Sequence, residues 1–163
     1  MKYFAYGSNM SLPRLRARTP SAVRIGACRL EKHALRFHKA GQDGSGKCDA
    51  LQTGDPDDFV VGALFEIADA EKAALDRAEG RGFGYLDKWV CVTDLQGQHF
   101  DALTYYATRI DAALKPYSWY LYHVVYGAEE TGLPLTYRAA LEGVEAIEDP
   151  DSDRDARERA IYL

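Results

Sequence analysis

Cysteine is scarce in this chain of 163 residues: Cys28, Cys48 and Cys91 are the only three, widely spaced and in no Cys-x-x-Cys pair. That spacing argues against a disulfide framework and against a zinc ribbon, and makes a reducing cytoplasm the expected compartment. The histidines, His33, His38, His99 and His123, form no His-x-x-x-His or Cys/His grouping, so no metal site is expected. No apolar run approaches the ~20 residues of a membrane span. The chain opens directly on a strand pattern, so no signal peptide is expected. Basic charge is also lacking: 20 Lys and Arg against 25 Asp and Glu leave −5, which favours solubility and gives no footprint for nucleic acid. No internal repeat is found, nor a Walker loop, a dinucleotide fingerprint or a Gly-x-Ser-x-Gly elbow.

Most informative among what is present is the segment Tyr3 to Met10, Tyr-Phe-Ala-Tyr-Gly-Ser-Asn-Met. Tyr3 to Tyr6 suit a buried strand. Gly7 permits a sharp turn or a close approach, and Ser8 and Asn9 are favoured helix caps. Strand, turn and helix in that order point several backbone N–H groups at one spot, where an anion or a developing oxyanion can sit. Ser8 has no partnering base in sequence, so it is a poor nucleophile candidate. A short helix is expected over 11–18, with Pro13 in its first turn. Its Arg14, Arg16 and Arg18 read as a solvated face, or Arg14 or Arg18 helps hold a carboxylate.

Val23, Ile25, Cys28, Leu30, Leu35 and Phe37 mark inward positions of two strand-like pieces. Residues 39–47 read as a Gly-rich polar loop, and 48–53 as a short strand. Phe59 to Ile67 is a strand, and Asp69 is expected to cap a helix ending near Glu79, with Gly80 in the C′ position. Strands over 89–95 and 100–107 form a hairpin about Gln96-Gly97. Helices follow over 117–130 and 135–146. Residues 1–148 are expected to form one domain and 149–163 a charged tail, either mobile or surface-hugging. Strands outnumber helices and at most one connection reads as a parallel crossover, so the class is α+β. A small mixed β-barrel with flanking helices would bury the two-sidedly apolar strands.

Glu79 breaks a local rule. It stands at the C-terminal end of its helix, where the dipole disfavours negative charge, and four residues after Leu75 on the apolar side. A Gly-rich loop follows at once. A proton-shuttling carboxylate needs such a setting; a frayed, solvated glutamate is the plainer alternative. Tyr6, Tyr85 and Tyr120 each adjoin a motif and can line a pocket or pack in the core.

Tyr3 to Met10 resembles the signature of the γ-glutamylcyclotransferase family, and Leu75-Asp-Arg-Ala-Glu-Gly80 resembles its second motif. The family's catalytic glutamate maps onto Glu79. Tyr85 lies near the family's next tyrosine, across a loop one residue shorter. Tyr120 matches a pocket tyrosine, and Gly127 to Pro134, followed by Tyr137, resembles the C-terminal helical segment. Met10 replaces the usual leucine, and Asn9 favours the general over the glutathione-specific branch.

The resemblance spans residues 3–146. It implies conversion of a γ-glutamyl amide to 5-oxoproline with release of an amine or amino acid, and no cofactor. The implied partner is a small γ-glutamyl molecule, with no nucleic acid and no membrane, and the protein is expected as a monomer or homodimer. In this reading Glu79 moves the proton, while Tyr6, Gly7, Ser8, Asn9, Tyr85 and Tyr120 hold the substrate. Alternatives are cyclisation of γ-glutamylamines, removal of a γ-glutamyl protecting group in biosynthesis, and a non-catalytic γ-glutamyl-binding module.

Overall fold

The structure, a computed structural model, describes residues 1–163. Its centre is a closed five-stranded barrel in the order β1-β5-β2-β6-β7. The strands are β1 (Lys2–Ala5), β2 (Val23–Glu31), β5 (Phe59–Glu66), β6 (Tyr85–Asp94) and β7 (His99–Ala107). β1 pairs antiparallel with β5 and closes the barrel by a parallel pairing with β7 at Tyr3↔Leu103. The remaining barrel pairings are antiparallel, so the expected mixed barrel is the fold. β5 lies between β1 and β2, and all of Val60 to Phe65 is buried. That is why its sequence reads as a continuous apolar run rather than an alternation.

Two further strands, β3 (His33–Ala40) and β4 (Gly46–Gln52), form a separate hairpin. They extend into the segment read as a 39–47 loop, and only a tight connection remains. Ser45 and Gly46 are buried there. The hairpin is tied to the barrel where Asp49 Oδ1 accepts the Ala107 N–H at 2.8 Å. Cys28 and Leu30 face the core as expected, but Val23 and Ile25 are exposed. Val23 pairs with exposed Glu66 at the end of its strand, and Ile25 is the extra residue of a bulge between Arg24 and Gly26.

Five helices flank the barrel: α1 (Leu12–Arg16), α2 (Lys72–Glu79), α3 (Ser118–Thr131), α4 (Leu135–Glu142) and α5 (Ser152–Arg159). Ser11, not Ser8 or Asn9, caps α1, because residues 8–10 form their own 3₁₀ turn first. Asp69 likewise opens a 3₁₀ turn instead of capping α2. The amphipathic α3 lies against the 8–10 turn through Gly127. A Cβ there would stand 2.4 Å from Ser11 N and 2.5 Å from Met10 C, so only glycine permits this approach. No helix is long and apolar enough to cross a membrane.

The charged segment 149–163 is helical and docked. Asp149, buried, accepts the Trp119 indole N–H at 2.7 Å and both arms of Arg154 at 2.6 Å. The Arg154 hydrogen bonds hold its carboxyl well below the usual range. Glu158 reaches back to Arg14, and to His123 Nε2 at 2.9 Å. Burial alone would raise the Glu158 carboxyl, but these two partners override it and hold it at about 2. Burial pushes the fully enclosed His123 ring below 6.5.

Both groups take up protons more readily once released, so their contribution is complete at neutral pH and lost on acidification. Hydrogen-exchange protection of α5 should fall as pH drops below about 6.5, and further between about pH 4.5 and 2. Glu158→Gln should flatten the second phase. Gly127→Ala should lower stability by about 1–3 kcal/mol, measured by denaturant unfolding, because the new methyl meets backbone.

Candidate active site

β1 runs out at the rim of the barrel, and the turn that follows it forms one wall of a cavity. Gly7 is required there for proximity rather than for its dihedrals. A Cβ would stand 2.9 Å from Cys48 Cβ and 3.2 Å from Tyr120 Oη. The turn's own bonds run from Met10 N–H to Gly7 C=O and from Ser11 N–H to Ser8 C=O. They leave the N–H groups of Gly7, Ser8 and Asn9 outside that pattern.

Glu79 lines the same cavity beside that turn. It is the last residue of α2, and Gly80 takes the left-handed conformation (φ 67°) that ends the helix. Its side chain is 15 % exposed, so it is neither frayed nor fully solvated. Glu79 Oε1 accepts a hydrogen bond from Asn9 Nδ2 at 2.5 Å and a longer one from Arg18 Nη1 at 3.4 Å. Arg18 also donates to Asn9 Oδ1 at 2.6 Å, and Asn9 Nδ2 contacts Tyr3 Oη at 3.1 Å. Asn9 is therefore a buried clamp between β1, α2 and the segment after α1. Glu79 Oε2 takes part in none of these bonds and is the oxygen left to face a reactant.

The inner cleft brings together every residue singled out in the sequence: Tyr6, Gly7, Ser8, Asn9, Glu79, Tyr85 and Tyr120 all line it. Tyr6 donates to the Tyr105 carbonyl at 2.5 Å and Tyr85 to the Cys48 carbonyl at 2.5 Å. Tyr120 Oη accepts the Cys48 N–H at 2.9 Å. Burial pushes all three phenols well above their ordinary value, so they stay neutral. Tyr85 is the first residue of β6 rather than part of a loop.

Tyr3, Cys48 and Tyr105 line the cleft as well. Strand periodicity marks these as core, and nothing local distinguishes a core face from a cavity wall. Outside the cleft lies a basin of about 310 Å³, which shares Ser8, Glu79, Tyr85 and Tyr120 with it and adds Arg18, Lys39 and Lys47. Such a volume suits a small ligand. Chemically, the cavity offers one carboxylate oxygen, a turn whose Gly7, Ser8 and Asn9 amides donate no hydrogen bond within the protein, and a wall of neutral phenols.

A bovine (Bos taurus) γ-glutamylcyclotransferase is 31% identical to this chain over 151 residues, spanning 88% of this chain and 78% of its own length. This chain belongs to the γ-glutamylcyclotransferase family. The human (Homo sapiens) γ-glutamylcyclotransferase is 32% identical over 148 residues, with the same coverage of each. The AIG2-like family model matches residues 59–141, the part that contains Glu79, Tyr85 and Tyr120. A solved γ-glutamyl cyclotransferase structure superimposes with a TM-score of 0.86 at 27% identity, covering 96% of this chain and 98% of the other. The fold expected from the family resemblance is thus the fold observed.

Replacing Asn9 by leucine, which is similar in size, removes the clamp and leaves Glu79 and Arg18 half-buried with fewer partners. Asn9→Leu should cost about 1–3 kcal/mol of stability, measured by chemical denaturation.

Proposed function

We propose that this chain is a γ-glutamylcyclotransferase that closes the γ-glutamyl group of a small amide into 5-oxoproline and releases the amine or amino acid. The observation that carries the reading is Glu79. It is a sheltered carboxylate with one oxygen clamped by Asn9 and Arg18 and the other unpartnered, and it lines the same cleft as the turn after β1.

The chemistry sets three demands. The substrate's α-ammonium must lose a proton before its nitrogen can attack the side-chain carbonyl carbon. That carbonyl oxygen gains negative charge as the new C–N bond forms. The leaving nitrogen must gain a proton as the old C–N bond breaks. Glu79 Oε2 takes the first proton and returns it to the leaving nitrogen; the second proton, which the ring nitrogen sheds as the lactam forms, passes by the same oxygen or by solvent to the departing amine, which leaves as its ammonium, so the carboxylate is regenerated in each turnover. The clamp on Oε1 restricts rotation of the carboxylate and keeps Oε2 aimed into the cavity.

The unpaired N–H groups of Gly7, Ser8 and Asn9 hold the substrate's α-carboxylate or its developing oxyanion. The phenols of Tyr6, Tyr85 and Tyr120 are fixed by backbone partners and confine the glutamyl chain in a folded shape that favours ring closure. The ring closes without any change of oxidation state.

γ-Glutamyl-alanine should give 5-oxoproline and alanine in equal amounts. Glu79→Gln keeps the shape and the Asn9 contact but cannot take up the proton. Its kcat should fall by about 10²–10⁴-fold, with KM little altered. Full turnover by that variant would refute the proton-shuttle role.

A further inference from the structure

The outer basin contains a cation that the fold leaves without an anion. One extra residue in β3 shifts its pairing with β4, from Arg36↔Asp49 to Lys39↔Lys47. A bulge of this kind re-aims the side chains beyond it. Directly opposed strand residues share a face, so Lys39 and Lys47 lie side by side, and both line the basin.

Lys47 is neutralised: its Nζ donates to Asp43 Oδ2 and to Ser45 Oγ, each at 2.7 Å. Arg14 is paired with Glu158, and Arg18 is bound to Asn9 and Glu79. Arg77 also lines the basin without an ion pair, but it is exposed to solvent; Lys39 is the buried cation of the basin that has no such partner. It is 8% exposed, and its Nζ lies 4.6 Å from the centroid of the Tyr85 ring and makes no hydrogen bond or ion pair within the protein. Gly84 leaves the space for it, since a Cβ there would stand 3.0 Å from Nζ. Burial lowers the Lys39 pKa, while the charges of Glu79 and Asp43 support the ammonium and Arg109 opposes it.

Two ammonium groups placed opposite each other, with Asp43 hydrogen-bonded to Lys47 alone, is a costly arrangement for the free protein. A ligand carboxylate resolves it. The position says which one. Lys39 lines the outer basin and not the inner cleft, whereas Glu79 and Ser8 line both. On the cyclotransferase reading, in which Glu79 moves the proton, Glu79 stands level with the bond that breaks. The glutamyl part lies inward of it, and the leaving group outward, toward Lys39.

We propose that Lys39 binds the carboxylate of the leaving amino acid, and so selects γ-glutamyl amino acids over γ-glutamylamines. This rests on the cyclotransferase reading given above, and assigns a specificity-determining residue to its outer basin.

γ-Glutamyl-alanine and γ-glutamyl-ethylamide differ only in that carboxylate, and both retain the glutamyl α-carboxylate. The wild-type protein should prefer the alanine compound by roughly ten- to a hundredfold in kcat/KM, chiefly through KM, as expected for one charge-assisted contact. Lys39→Met should bring the two substrates to within about threefold of each other, and Lys39→Arg should restore much of the preference. Equal use of the two compounds by the wild-type protein would overturn the proposal. So would a Lys39→Met variant that loses both substrates in the same proportion, which would place Lys39 on the glutamyl end or in the fold. If the wild-type protein turns over neither compound, the catalytic reading fails. The same pair compared by calorimetric binding then decides Lys39, with equal affinities counting against it.

Discussion

Closure of the barrel through β1 is the constraint on which the rest of the structure depends. Only four residues long, β1 pairs with β5 on one side and with β7 on the other. Thr104 Oγ1 donates to the Phe4 carbonyl at 2.9 Å, and Tyr6 donates to the Tyr105 carbonyl, so β7 grips β1 with side chains as well as backbone. A strand held on both edges ends at a defined place. The turn that follows it is therefore presented to the cavity without freedom to drift. Gly127 of α3 then packs directly on that turn from behind.

From this anchored turn, Asn9 carries position outward. A single amide joins the turn to Glu79 on α2 and to Arg18 beyond α1. Its buried location makes each of these bonds stronger than it would be in water, and makes any unmatched one costly. The helix end alone would leave Glu79 in an unfavourable field. The Arg18 guanidinium and the Asn9 amide offset that field, so the carboxylate stays in place near the barrel's mouth.

Local chemistry made much of the site legible. Helical spacing followed by Gly80 located Glu79 at a helix terminus, and the turn string located Gly7 to Asn9. Tyr85 and Tyr120 stood out by their neighbours in sequence. The role of Asn9 was not legible: it suits a helix cap, and its actual partners lie 9 and 70 residues away. Lys39 was hidden for another reason. Within one strand a bulge has no signature, because it exists only as a mismatch between two paired strands. The charged tail was legible as charged, but where it docks was not, since that rests on Trp119, Arg14 and His123, all remote in sequence.

Taken alone, the sequence determined the barrel strands in outline, most of the helices before residue 149, the sharp stop after Glu79 and the family to which the chain belongs. Each of these follows from short-range periodicity, from glycine's access to left-handed geometry, or from the resemblance of contiguous motifs. Only the tertiary structure decided which oxygen of Glu79 remains available, where the 149–163 segment docks and which way Lys39 points. Those outcomes depend on register, barrel closure and the burial of charges among distant residues, and such long-range terms leave no mark on any single stretch of chain.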